Sequence, residues 1–135
     1  MASSPIRTWL HGRLVNDAGL VPVVGGRVYQ QGSIISAQVI RPYLVHHFGN
    51  NTDEGLSEDA QQPKRQFLQI YIHVDQGDYG PIDDIMDLVQ AALGPKTGAP
   101  ANLIQVRYLE TSQDLQDDIL QTYFRYMRYQ LIQSR

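Results

Sequence analysis

Residues Phe67 to Val74 (FLQIYIHV) place Leu68, Ile70, Ile72 and Val74 on one side and Phe67, Gln69, Tyr71 and His73 on the other. A period of two is the signature of a β-strand, so the chain must build a sheet with one strongly apolar face. That face needs a cover, and the cover follows directly in the sequence. After the polar turn DQGDYG, the segment PIDDIMDLVQAAL sets Ile82, Ile85, Met86, Val89, Ala92 and Leu93 on one helical stripe, with Asp83, Asp84, Asp87 and Gln90 off it. Gly80 is the expected N-cap and Pro81 the first helical residue, where a missing N–H costs nothing. Aspartates in the first turn complement the positive end of the helix dipole, and Gly94 then Pro95 end the helix. Burying five large side chains of this stripe contributes on the order of 8–15 kcal/mol before conformational entropy is subtracted. The stretch 67–93 therefore organises the core.

The chain of 135 residues, 42% hydrophobic, is expected to form one domain that needs no disulfide or metal to hold it together. It has no cysteine, which excludes thiolate zinc sites and cysteine nucleophiles and fits synthesis in a reducing compartment. A net charge of -3, with scattered basic residues, argues against phosphate-driven nucleic-acid binding. The start MASSPIRTWLHGR lacks the pattern of a signal peptide, and no apolar run reaches the roughly 18 residues of a spanning helix, so no membrane association is expected.

Ser4 and Pro5 open a helix expected over 5–16, with Ile6, Trp9, Leu10 and Leu14 as its stripe. In LVPVVGGRVY, Pro22 and the pair Gly25-Gly26 predict a turn that needs positive φ, and Arg27 to Tyr29 open an extended segment. The glycine pair lacks the spacing and the following Lys-Ser/Thr of a nucleotide loop. Val39 to Phe48 is a strand candidate in which Pro42 bars a central, fully paired ladder, so the strand begins at or runs along an edge. Residues 49–66 hold almost nothing to bury and read as a long exposed hairpin arm or loop. After the flexible connection 94–102, Leu103 to Thr111 alternates Ile104, Val106 and Tyr108 against Gln105, Arg107 and Glu110 as a half-buried strand, and 112–118 is a polar turn. The last segment, Ile119 to Ile132, fits a helix or a strand. Its aromatic content selects a strand that pairs antiparallel with 103–111. The expected fold is α+β: a mixed or antiparallel sheet of four to five strands packed with two helices, about 5–16 and 81–93.

Chemistry finds little footing. His46 and His47 face opposite sides of a strand and His11 sits on a helix, which leaves His47 with His73 as the one pair able to meet, without a third ligand. The cluster Asp75, Asp78, Asp83, Asp84 and Asp87 lacks the ligand spacing of a calcium loop and is better explained by the helix start. No serine lies in a nucleophile elbow. Neither a catalytic residue, a metal nor a cofactor is expected. More informative is the run Tyr123, Phe124, Arg125, Tyr126, Met127, Arg128, Tyr129, which carries aromatics and arginines on both faces of one strand. A one-sided sheet buries only one set. Tyr and Arg are enriched at protein interfaces, so the second set either contacts another subunit or is an ordinary exposed face. Base stacking on these tyrosines is disfavoured by the acidic balance.

The order of these pieces resembles the tail-terminator (tail-completion) proteins of long-tailed bacteriophages over nearly the whole chain. The resemblance rests on Val24-Gly25-Gly26-Arg27-Val28-Tyr29 followed by Pro42-Tyr43-Leu44-Val45, then the Val74-Asp75 strand end with Tyr79 before the helix. The insert 49–66 departs from the family pattern. The resemblance implies a non-enzymatic virion protein, assembled in the host cytoplasm, that forms a homo-oligomeric and typically hexameric ring at the head-proximal end of the tail. Such a ring halts polymerisation of the tail-tube protein and offers a surface to the head-completion or connector protein. The candidate contact residues are Pro42 and Tyr43 beside the edge strand, Asn50, Asp53, Glu54, Lys64 and Arg65 in the arm, and Tyr123, Arg125, Tyr126, Arg128 and Tyr129 in the last strand. Two alternatives remain at this point: a head-completion or neck protein on the portal side, and a small cytoplasmic ligand-binding domain or enzyme.

Overall fold

The computed structural model describes residues 4–30, 38–53, 64–95 and 98–134. Helix α1 (Ser4–Asn16) and the one-turn helix α2 (Val21–Val24) lead into strand β1 (Val28–Gln30). Strands β2 (Tyr43–Asp53) and β3 (Lys64–Asp75) follow, then helix α3 (Gly80–Leu93), β4 (Leu103–Thr111), β5 (Leu115–Asp117) and β6 (Thr122–Gln133). The strands form a single mixed sheet in the order β1-β2-β3-β6-β4, with β5 also paired to β6. The α+β expectation holds with more elements than foreseen: six strands rather than four to five, and three helices rather than two.

The centre of the sheet is the antiparallel pair β3–β6, in unbroken register from Lys64 opposite Gln133 to Asp75 opposite Thr122. Opposite residues share a face, so Leu68, Ile70, Ile72 and Val74 stand beside Tyr129, Met127, Arg125 and Tyr123. All three helices lie against this face: Ile6, Leu10 and Leu14 of α1, Val24 of α2, and Ile82, Ile85, Val89, Ala92 and Leu93 of α3 join the strand residues in one buried cluster. The two stripes read from the sequence are thus the two that cover the sheet. The last segment is a strand, as its aromatics indicated, although it starts at Thr122, and Ile119 before it is exposed in the turn.

Local chemistry explains the boundaries. Gly25 and Gly26 take φ of 62° and 77°, the left-handed turn their pairing predicted. The chain then enters β1 parallel to β2, tied by the Leu44 N–H to the Arg27 carbonyl at 3.0 Å. The start of α3 differs from expectation: Gly80 is its first residue, and the Gly80 N–H is satisfied by Asp78 Oδ1 at 2.8 Å. With Pro81 contributing no donor, side-chain capping is displaced to Asp78. At the other end of α3 the last turn carries no basic residue of its own; Arg13 of α1 donates from Nε and a terminal nitrogen to the Ala92 carbonyl at 3.0 and 2.7 Å.

Three sequence expectations are corrected. Pro42 does not mark an edge strand: it precedes Tyr43, the first residue of β2, so no ladder bond is lost, and β2 is flanked by β1 and β3 at its start. The alternation read in β4 holds from Gln105 to Tyr108, with Val106 and Tyr108 on the helix side, but the register with β6 shifts between Leu103 and Gln105 and again between Tyr108 and Glu110. The first shift puts Leu103, which is buried, in the inner set in place of Ile104, which is 46% exposed, whereas Tyr108 keeps the helix side and is 42% exposed because β4 is the outermost strand. The polar turn 112–118 contains β5, and Ser112 bridges the gap from β4: its N–H donates to the Tyr126 carbonyl and its Oγ accepts from the Tyr126 N–H.

Truncation of Ile85, 1% exposed, to alanine is expected to cost about 2–5 kcal/mol in urea unfolding, whereas Gln90→Ala on the outer side of the same helix changes stability by less than about 0.5 kcal/mol.

Candidate functional site

The second face of the sheet carries no helix among the described residues. Its residues follow from the register: Tyr43, His73 and Phe124 form one row across β2, β3 and β6, and Val45, Tyr71 and Tyr126 form the next. In the first row the rings stack nearly parallel, Tyr43 on His73 at 4.8 Å and His73 on Phe124 at 4.9 Å between centroids. Tyr71 bridges the rows, 5.4 Å from Tyr126 and 6.2 Å from Phe124. Further along, Gln69 lies opposite Arg128, which lies opposite Glu110, and Phe67 lies opposite Gln130, which lies opposite Arg107. The Arg128 guanidinium sits 4.2 Å over the Phe67 ring and donates to Glu110 Oε1 at 3.1 Å.

One end of this face is sealed within the subunit. Tyr43 is fully buried and His73 is 6% exposed. Arg41 reaches across the end, donating to the Gln121 carbonyl at 3.2 Å and pairing with Asp75 at 3.1 Å. His73 Nδ1 bonds Thr122 Oγ1 at 2.8 Å. Burial pushes the Tyr43 hydroxyl up to about 12, and pulls the His73 imidazole down to about 4 against a weaker opposing pull from Asp117. The other end of the face, with Arg65, Phe67, Tyr126, Arg128 and Gln130, is only half-buried, and Arg107 beside it is exposed.

The predicted contact residues divide sharply. Tyr126, Arg128 and Arg65 lie on the open face. Tyr123, Arg125 and Tyr129 belong to the helix-covered face: Tyr123 stacks on Tyr79 at 4.2 Å, Arg125 pairs with Asp83 of α3 and with Asp114, and Tyr129 is 3% exposed. Pro42 is half-buried and Tyr43 is covered by the sealed end. Asn50, Asp53 and Lys64 lie on the β2–β3 hairpin, where Asp53 pairs with Lys64, so strand structure extends into the stretch read as an arm; Glu54 lies outside the described residues. Phe67, Tyr71, Phe124 and Arg107 share the open face and were not among the predicted contact residues. The signal for all four was present in strand parity.

Histidine placement departs from expectation. His47 and His73 do not meet, because His47 faces Gln69 while His73 faces Tyr43. His11 and His46, separated by the sequence reading, come together across α1 and β2 with Nδ1 and Nε2 3.1 Å apart. At that distance one ring must donate and the other accept, so the pair tolerates only one proton between these two atoms. Burial, then His11 and Arg7, lower His46 to about 4. No group of three potential metal ligands occurs among the described residues. The aspartates have structural partners where they have any: Asp75 with Arg41, Asp78 with Gly80, Asp83 with Arg125. A groove of about 550 Å³ between Pro5, Thr8, Trp9, Gly98 and Pro100 has no ionisable side chain in its lining.

No protein-family model matches this chain, and no curated protein does. Among solved structures, a chain of the virion of a native gene transfer agent particle is similar, with a TM-score of 0.75 at 14% sequence identity, covering 98% of this chain and all of that one. At this identity the likeness establishes a common fold.

Both buried histidines titrate below their ordinary value, so the unfolded chain takes up protons first as pH falls. Their stabilisation is complete above about pH 6.5 and is lost on descending towards pH 4, by about 2 kcal/mol per histidine between pH 7 and 4.5. Urea unfolding at several pH values should show this slope. The double variant His46→Gln and His73→Gln is expected to flatten it, whatever its absolute stability.

Proposed function

We propose that this protein is a non-enzymatic virion component of a tailed phage or phage-like particle. In this reading its subunits form a ring, hexameric in the family it resembles, that caps the head-proximal end of the tail tube. The ring stops polymerisation of the tube and presents a surface for head–tail joining. The observation that carries the reading is the end-to-end fold similarity to a virion chain, with neither chain extending appreciably beyond the other. The sequence resemblance to tail terminators narrows that to the tail.

The site geometry is compatible with this role. A closed ring of identical subunits needs two different, complementary patches on each copy. The half-buried end of the open face, with Tyr126 and Arg128, supplies one. The β2–β3 hairpin, with Asn50, Asp53, Lys64 and Arg65, is a second candidate to contact a neighbour or the tube, together with Glu54 of the stretch 49–66.

Native mass spectrometry or sedimentation of the purified chain, with and without its tail-tube protein, tests this. A ring alone, or one formed on tubes whose growth then stops, is expected. A strict monomer that never engages tubes would sink the proposal, and binding to the portal-side connector alone would move the protein to the neck. Tyr126→Ala should abolish ring assembly while changing monomer unfolding by less than about 1 kcal/mol. Met127→Ala, on the buried face of the same strand, should instead cost about 2–5 kcal/mol.

A further inference from the structure

Resting on that ring reading, we infer that the basic end of the open sheet face in one copy docks on the acidic outer face of α3 in the next. The sheet patch comprises Arg65 of β3, Arg128 of β6 and Arg107 of β4. Arg107 is opposite Gln130, two residues along from Arg128, so the two arginines are diagonal neighbours about 7 Å apart on one surface. Arg128 is already oriented by Phe67 beneath it and by Glu110, the one acidic side chain in these rows among the described residues. Arg107 is exposed and has no partner among the described residues.

The complementary surface is on the opposite side of the same subunit. Ile82, Ile85, Val89, Ala92 and Leu93 turn inward to the sheet, which leaves Asp83, Asp84 and Asp87 outward. Asp83 is engaged by Arg125 of its own chain. Asp84 and Asp87 have no partner among the described residues, and their three-residue spacing puts them side by side on the helix, about 5–6 Å apart.

The relative placement of these charges selects the kind of contact. A two-fold contact through the sheet patch would set arginines against arginines, and one through α3 would set aspartates against aspartates. Only a face-to-back contact pairs opposite charges, and it is heterologous by construction. Each copy then offers one basic and one acidic surface, so the contact propagates from subunit to subunit and closes into a ring when the rotation between neighbours divides a full turn.

Charge reversal tests the assignment through assembly of the full chain, measured by sedimentation. The helix variant carries Asp84→Lys with Asp87→Lys, and the sheet variant carries Arg65→Glu with Arg107→Glu. Neither is expected to assemble alone, because each presents like charges at every junction. An equimolar mixture should assemble, since alternation restores opposite charges at both kinds of junction and a six-membered ring closes in strict alternation. The isosteric pair Asp84→Asn with Asp87→Asn guards against misfolding and should weaken wild-type-like assembly at least tenfold at low salt, with thermal melting of the monomer unchanged. Raising salt from about 0.05 to 0.5 M should weaken wild-type assembly comparably. If the wild type forms rings and the Asn pair assembles equally well, or the two reversed variants fail to assemble together, this contact is wrong while the ring stands. If the wild type assembles neither alone nor on tubes, the ring reading falls and takes the contact with it.

Discussion

The register between β3 and β6 fixes the rest of the molecule. Two twelve-residue strands paired without interruption determine which side chain of each faces the helices, and a slip of one residue would carry every side chain to the other side. Leu68, Ile70 and Ile72 specify the helix-covered face because all three are large aliphatics of one parity, fully buried in the cluster that α3 covers. β6 has no such clean pattern of its own. Its parity is imposed by β3, which sets Met127, Tyr129 and Leu131 inward and leaves Phe124, Tyr126 and Arg128 on the open side. Irregularity is confined to the outer pairings, β2 beyond Phe48 and β4 at two points.

How much of this was legible in the sequence follows the same logic. The stretch 67–93 and helix 5–16 could be read because period and capping residues agree there with the tertiary structure. β6 was correctly read as a strand, but which of its faces is buried could not be, since both are amphipathic and only the partner strand decides. Strand β4 was misread only at Ile104, because bulges are set by pairing and leave no periodic trace. The His11–His46 contact was missed for a related reason: period arguments place residues on faces of single elements, whereas this pair is made by the packing of a helix on a sheet. Sequence distance gave no hint of it.

The open face also shows why a buried histidine stays neutral. His73 lies between two aromatic rings in a cross-strand stack, and a charge there would have to be stripped of water without a compensating carboxylate in contact. Its bond to Thr122 satisfies one ring nitrogen and ties β3 to the first residue of β6. The sealed end of the sheet is thereby held rigid by stacking and one polar contact, while the far end keeps its arginines half-exposed. Rigidity and availability are distributed along the same face.

The two arginines of β6 make the division of labour explicit. Arg125 and Arg128 are three residues apart, an odd separation that puts them on opposite faces of the strand. Arg125 points to the helix side, where Asp83 of α3 and Asp114 before β5 hold it, so it stitches the helix layer and the sheet edge to the central strand. By engaging Asp83 it also narrows the outer acidic surface of α3 to Asp84 and Asp87. Arg128 finds no helix on its side; it is supported by Phe67 and Glu110 at the surface, with its side chain still 36% exposed. A single strand therefore uses one arginine to consolidate the subunit and presents the other outward. Strand parity, not composition, assigns the roles.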